Sequence, residues 1–228
     1  MKSKRFVWTI VITAALLAGC GGEEEPAPPT SAPATPTTAA TPTLSAEDHW
    51  ELGVDYHEQG KVEEAVAEFK KAIELDPNEA RAYRSLGTVY VEEGRLEESV
   101  AAYEQAVEID PEYGEAYGDL TGAYAQLGRI PEAAAAGEKG LELAPDYAAT
   151  YNNLGIVYQE QGELDQAIAA YEKASELDPG DPSPHANLGI IYKDQGELDL
   201  AVAALEKAIE LEPSDPKPHN SLGNVYKH

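Results

Sequence analysis

From residue 46 to the C-terminus the apolar and small positions fall on helical spacing and then begin again every 34 residues. Leu154, Gly155 and Tyr158 stand at relative positions 0, 1 and 4 and share one face of a helix. Ala65, Phe69 and Ala72 share one face of the helix that follows such a segment. Gly60, Gly94, Gly128, Gly162 and Gly196 keep the same beat where the first helix of each pair must stop, a position that suits a left-handed cap. Pro77, Pro111, Pro145, Pro179 and Pro213 repeat it between pairs. A fixed period of this length marks stacked helix pairs rather than one globular core. The spacing predicts an all-α solenoid over residues 45–228, with units at 46–79, 80–113, 114–147, 148–181 and 182–215 and a partial unit at 216–228. Ser45 with Asp48 predicts a capping box at the first helix start, and Asp76, Asp110 and Asp178, each before a proline, are expected to cap the helix that follows.

The motif Tyr151-x2-Leu154-Gly155-x2-Tyr158, then Ala167-x3-Tyr171, then Pro179, resembles the tetratricopeptide repeat, whose pattern is a general one. The resemblance extends over residues 46–228, through Leu52-Gly53-x2-Tyr56, Tyr83-x2-Leu86-Gly87-x2-Tyr90 and Leu188-Gly189-x2-Tyr192. It implies a right-handed superhelical solenoid whose first helices line a concave, protein-binding surface. The third unit departs most, with Thr121 in place of glycine, Gly137 in place of the aromatic and Gly140 in place of alanine. Two glycines inside a helix cost about 2 kcal/mol against alanine, so this unit is expected to leave a gap and be the weakest joint.

The two ends differ. Positions equivalent to Ala82 and Val89, expected to face the preceding unit, are Asp48 and Asp55 in the first unit, which predicts a water-facing start. Residues 216–228 keep Leu222 and Tyr226, which predicts an apolar edge open to a second copy or a partner, a truncated sequence being the alternative.

Residues 1–20 carry a basic start (Lys2, Lys4, Arg5), an apolar run from Phe6 to about Leu17, and small residues before the lone cysteine. This reads as a secretory signal, the run being shorter than the roughly 20 residues of a membrane span. Leu17-Ala18-Gly19-Cys20 resembles the lipobox of bacterial lipoproteins. That implies a signal peptide at 1–19, diacylglycerol (with palmitate-type chains) on Cys20, and a place on the cell membrane or outer membrane, facing periplasm or cell exterior. Gly21 rather than aspartate favours the outer membrane under the family's sorting rules. Residues 20–44, with six prolines and no apolar periodicity, read as the lipidated cysteine and a disordered stalk that could extend about 70 Å as polyproline II.

The formal charge of −26 becomes −29 once Lys2, Lys4 and Arg5 leave with the leader, which excludes nucleic acid as a natural partner. One cysteine excludes an internal disulfide or a Cys-based metal site. His49, His185 and His219 occupy the position of Tyr83, Tyr117 and Tyr151 and so read as substitutes for aromatic packing rather than ligands. No acid/base or nucleophile constellation stands apart from the repeat, so neither enzyme activity nor a cofactor is expected.

The resemblance assigns the lining of the concave face to positions that include Arg81, Arg84, Gly118, Gly122, Ala125, Asn152, Ile156, Ile190, Asn220 and Asn224. Arg81 and Arg84 are expected to grip a partner carboxylate, unless they pair with acidic neighbours, and Gly118, Gly122 and Ala125 to leave room for a side chain. Asn152, Asn153, Asn187, Asn220 and Asn224 could bond a peptide backbone. The expected function is a lipid-anchored scaffold of the cell envelope that holds a peptide or helix of a partner protein. The alternative is a small-solute or glycan module using the gap at Gly118.

Overall fold

The computed structural model describes residues 44–227; Cys20, the lipobox and the proline-rich stretch lie outside the described residues. The described residues form helices α1 (Ala46–Glu58), α2 (Val62–Leu75), α3 (Ala80–Glu92), α4 (Leu96–Ile109), α5 (Gly114–Gln126), α6 (Ile130–Leu143), α7 (Ala148–Gln161), α8 (Leu164–Leu177), α9 (Ser183–Gln195), α10 (Leu198–Leu211) and α11 (Pro216–Val225). Each odd helix packs on the even one after it, and that second helix packs on the next first helix. The first helices α1 and α3, α3 and α5, α5 and α7, and α9 and α11 also touch one another. Because consecutive first helices approach more closely than consecutive second helices, the stack bends toward the first-helix wall and forms a superhelical solenoid.

Helix ends follow the sequence pattern in part. Ser45 and Asp48 close the capping box, with Ser45 Oγ accepting from Asp48 N at 3.2 Å and Asp48 Oδ2 accepting from Ser45 N at 2.8 Å. The five turn glycines adopt φ from 71° to 82°, a region that side chains rarely enter. The aspartates before proline do not cap the next helix, which is a correction. Asp76 Oδ1 instead accepts from Asn78 N at 2.9 Å, Asp110 Oδ1 from Glu112 N at 3.0 Å, and Asp178 Oδ1 from Gly180 N at 3.0 Å. Each carboxylate therefore closes a turn around the proline, and α3 and α5 begin three residues beyond it.

Within a pair, a glycine of the first helix receives a large side chain of the second. A Cβ at Gly155 would lie 2.5 Å from Tyr171 Cε1, and one at Gly87 2.7 Å from Tyr103 Cδ1. The Tyr171 ring is fully buried and has nowhere to move. Gly155→Ala is therefore expected to destabilise by about 1–2 kcal/mol despite its better helix propensity. Gly223 in α11 has nothing within 4 Å of a Cβ. Gly223→Ala is expected to stabilise by about 0.5–1 kcal/mol. Urea denaturation of the two variants should give midpoint shifts of opposite sign.

The third unit is packed differently from the sequence expectation. Leu154, 2% exposed, places its Cδ2 and Cγ where a Cβ on Gly137 would sit, so the next unit fills the space of the missing ring. A Cβ on Gly140 would meet Gly118 N at 3.1 Å. The expected gap is thus absent: glycines here admit close approach rather than leave a void. Thr121 is fully buried, and its hydroxyl donates to Tyr117 O at 2.8 Å.

Asp48 and Asp55 are exposed, whereas Ala82, Val89, Thr150 and Val157 at equivalent positions are fully buried. In α11, Leu222 is half-buried against Leu205 and Val225, and Tyr226 is 67% exposed.

Candidate binding wall

Polar contacts stitch the first helices together at a separation of 35 residues, one more than the repeat. Trp50 Nε1 donates to Ser85 Oγ at 3.0 Å and His57 Nε2 meets Glu92 Oε2 at 2.8 Å, both between α1 and α3. Arg84 Nε donates to Asp119 Oδ2 at 2.7 Å between α3 and α5. Asn153 Nδ2 donates to Gly118 O at 2.9 Å between α5 and α7, and Asn187 Nδ2 to Asn152 Oδ1 at 3.3 Å between α7 and α9. One residue turns about 100° around a helix, which brings the side chain from the matching position onto the face toward the preceding unit.

Arg84 is the centre of this wall and is not available to a partner, a correction to the sequence reading. Besides Asp119 it donates to Glu115, to Tyr113 Oη at 3.3 Å and to Tyr147 Oη at 2.9 Å, and it lies 5.4 Å from the centres of both rings. Tyr147 Oη in turn donates to Asp119 Oδ1 at 2.7 Å. The Asp119 side chain is only 13% exposed, and burial pushes its carboxyl above the ordinary range against the pull of Arg84. The cluster joins two consecutive units, 80–113 and 114–147, through one guanidinium.

Arg81 is likewise engaged at home. It donates to Glu79 through Nε and Nη2, both at 2.8 Å, and stacks 4.4 Å from the Trp50 ring. Its hydrogen bonds hold the Glu79 carboxyl below its ordinary value. The two arginines thus neutralise this chain's own carboxylates.

Gly118, Gly122 and Ala125 are buried and leave no room beside them, which is a second correction. A Cβ at Gly118 would strike Thr150 Oγ1 and come within 2.9 Å of Tyr147; one at Gly122 would come within 2.8 Å of Asn153 Nδ2. The seat expected for a ligand is filled by α7 and by the residue before it. A hollow of about 230 Å³ does open on this wall, nearer the N-terminus, between Val54, His57, Phe69, Arg84, Ser85 and Thr88.

The C-terminal part of the wall is open. Asn152, Asn187, Ile156 and Ile190 are half-buried, and Asn220 and Asn224 are exposed. Asn153 lies apart from this group, its amide flat against Gly122 and bonded to Gly118 O. Sequence reasoning missed Asp119, Tyr113 and Tyr147 as anchors; the opposite charges of Arg84 and Asp119 at 35 residues were the available signal.

Of the histidines, His219 makes the contact of its tyrosine equivalent. His219 Nε2 meets Pro213 O at 3.0 Å, as Tyr151 Oη does Pro145 O at 3.1 Å. His49 Nδ1 pairs with Glu68 Oε2 at 2.5 Å, and burial pushes the His185 imidazole below its ordinary value. Among the described residues no His, Cys, Asp and Glu groups gather in a way that could hold a metal ion.

Family models agree with this architecture. TPR repeat matches residues 53–94, 158–196 and 189–228, and Tetratricopeptide repeat matches 90–155. The crystal structure of MamA is 31% identical with a TM-score of 0.55, over 71% of this chain and 95% of that one. The chain belongs to the tetratricopeptide repeat family, a family of protein-binding scaffolds. YrrB, described as a TPR protein with an unusual peptide-binding site, is 25% identical with a TM-score of 0.54, over 78% of this chain and 91% of that one. A chain of the APC/C hetero-tetramer Cut9-Hcn1 is 25% identical with a TM-score of 0.76; the match covers 81% of this chain but only 37% of that one. No curated protein matches this chain in sequence.

Proposed function

We propose that this protein is a lipid-anchored scaffold of the bacterial cell envelope that holds a segment of a partner protein against the C-terminal part of its concave wall. The observation that carries the binding reading is the pair Ile156 and Ile190. They are apolar side chains left half-open on a wall whose charged groups are consumed internally, and they are flanked by asparagine amides. An apolar seat beside amide donors and acceptors suits a peptide, whose side chains bury while its backbone needs hydrogen bonds. YrrB, described as carrying a peptide-binding site, lends this reading support by likeness. The anchoring reading rests on Leu17-Ala18-Gly19-Cys20, and the stalk reading on residues 20–44.

The test is photo-crosslinking in cells from a reactive amino acid at position 190, with position 81 as the comparison. Adducts with a discrete partner from 190 and none from 81 are expected. Adducts from 81 with none from 190 would move the site to the N-terminal part of the wall. The exposed Tyr226 and open Gly223 give a second copy of the chain an apolar edge to meet, and a strictly monomeric chain in light scattering at tens of micromolar would contradict that self-association.

A further inference from the structure

We infer that the edge where the last two full helix pairs turn binds arginine side chains of a partner segment, stacked on Tyr158 and Tyr192 and bonded to Glu163 and Glu197. Tyr158 and Tyr192 each follow an isoleucine of the concave wall by two residues, about 200° around the helix, so this surface is separate from that wall.

One position changes sign along the stack. Five residues after Tyr56, Tyr90, Tyr124, Tyr158 and Tyr192 stand Lys61, Arg95, Arg129, Glu163 and Glu197. In the first three units the cation covers its own ring. Lys61 Nζ lies 5.4 Å from the centre of Tyr56, and the guanidinium carbons of Arg95 and Arg129 lie 4.1 and 4.4 Å from those of Tyr90 and Tyr124. Tyr90 and Tyr124, beneath arginines, are buried, whereas Tyr158 and Tyr192 are half-open. Among the described residues no cation lies over either of these two rings. The face of a tyrosine ring attracts a cation, and arginine suits it best because its plane stacks while its fork reaches a carboxylate.

The acceptors stand beside the open rings. Arg95 Nε donates to Glu98 Oε2, and Arg129 Nε to Glu132 Oε1, both at 3.0 Å. In the fourth unit those two positions hold Glu163 and Gln166, with Gln166 Nε2 donating to Glu163 Oε2 at 2.7 Å. In the fifth they hold Glu197 and Leu200, the latter 50% exposed. The lysines of these units, Lys173, Lys193 and Lys207, pair elsewhere, with Glu176, Asp194 and Glu210. Burial first, then Glu138 and Glu163, push the Tyr158 hydroxyl above its ordinary value, and Glu172 acts on Tyr192 in the same way after burial. The carboxylates therefore lie close enough to be felt at both rings.

There is room for the stem as well. A hollow of about 270 Å³ opens beside Tyr158, lined by Leu141, Tyr151, Leu154, Gln166 and Lys173 among others. It is smaller than the roughly 300–1,000 Å³ of small-molecule clefts and suits one long side chain with an apolar stem and a charged head. The four arginines of the described residues bind their own chain, at Glu79, Asp119, Glu98 and Glu132, so the guanidinium comes from a partner rather than from a second copy. A formal charge of −26 draws a basic segment toward the chain from a distance.

The test uses the full chain in detergent at physiological salt, where a Debye length of about 8 Å screens the general attraction of the chain. Labelled glycine–serine peptides of about twelve residues, carrying either a pair of arginines or a pair of neutral citrullines, are read by fluorescence anisotropy. The arginine peptide should bind about tenfold tighter than the citrulline peptide. Glu163→Arg with Glu197→Arg, which supplies the cation from within the chain as Arg95 and Arg129 do, should abolish that preference. Glu51→Arg with Glu74→Arg, the same charge change at exposed positions elsewhere, should leave it in place. Tyr158→Leu with Tyr192→Leu, which leaves the charge untouched, should weaken the arginine peptide about fivefold. Equal loss in the two charge-reversed chains would overturn the inference, since net charge alone would then account for binding. Undiminished binding by a folded leucine variant, or no preference for arginine in the native chain, overturns it as well. If the leucine variant does not fold, the comparison of the two charge-reversed chains decides. Crosslinking from position 190 reads the concave wall separately, so either result stands without the other.

Discussion

Arg84→Ala is expected to destabilise the solenoid by about 3–5 kcal/mol, the cost of stripping the partner from a buried charge. The arginine side chain is 22% exposed and that of Asp119 13%, so little water is at hand to replace the guanidinium. Tyr147 Oη would remain bonded to Asp119 as its sole strong donor from the cluster. Urea unfolding followed by circular dichroism should show the loss, and a shift equivalent to less than about 1 kcal/mol would mean that the carboxylate is hydrated. The sign with pH gives an independent check. Asp119 in the fold already titrates above the ordinary value of 3.8, chiefly because it is buried, and losing Arg84 raises it further. The folded variant then takes up a proton at a pH where the unfolded chain does not, so the deficit of Arg84→Ala should shrink as pH falls toward 4. An apolar pair, Arg84→Met with Asp119→Leu, should recover much of the loss.

Cys20→Ser is expected to move the protein from the membrane to the soluble fraction of a bacterial host and to abolish incorporation of a clickable palmitate analogue. A single acyl chain binds membranes only marginally, at about 0.8 kcal/mol per buried CH₂, whereas several chains on one cysteine hold firmly. Under the proposed lipidation, removing the acceptor thiol would remove all of them at once. A variant that stays with the membrane through a high-salt wash would instead identify the apolar run from Phe6 to Leu17 as an uncleaved anchor.

The fold was legible because it is written several times. The 34-residue beat, the turn glycines and the reversal of polarity at Asp48 and Asp55 are properties of single positions, and each appears in the structure. The binding wall was less legible because its contacts join positions that do not correspond. Arg84 looked free when set against its equivalents at 34 residues; its carboxylate lies at 35. Gly118 and Gly122 looked like a vacancy, but Tyr147 at the end of the same unit and Thr150 and Asn153 of the next occupy it. Gly137 is completed by Leu154 in the same way. Small residues in a stacked repeat mark where a neighbour comes close, and only the neighbour's placement tells whether space remains. Among the candidate residues, Asn152, Asn187, Asn220 and Asn224 stay partly or fully exposed, while both arginines and the two glycines serve the solenoid itself.

The central claim is that the partner is held by the open C-terminal part of the concave wall rather than by its arginines. The most direct measurement is quantitative co-purification of envelope proteins with the full chain, with Ile156→Asp plus Ile190→Asp, and with Arg81→Glu. The partner should be retained by the native chain and by Arg81→Glu and lost from the double isoleucine variant. Retention by the isoleucine variant together with loss from Arg81→Glu would contradict the account.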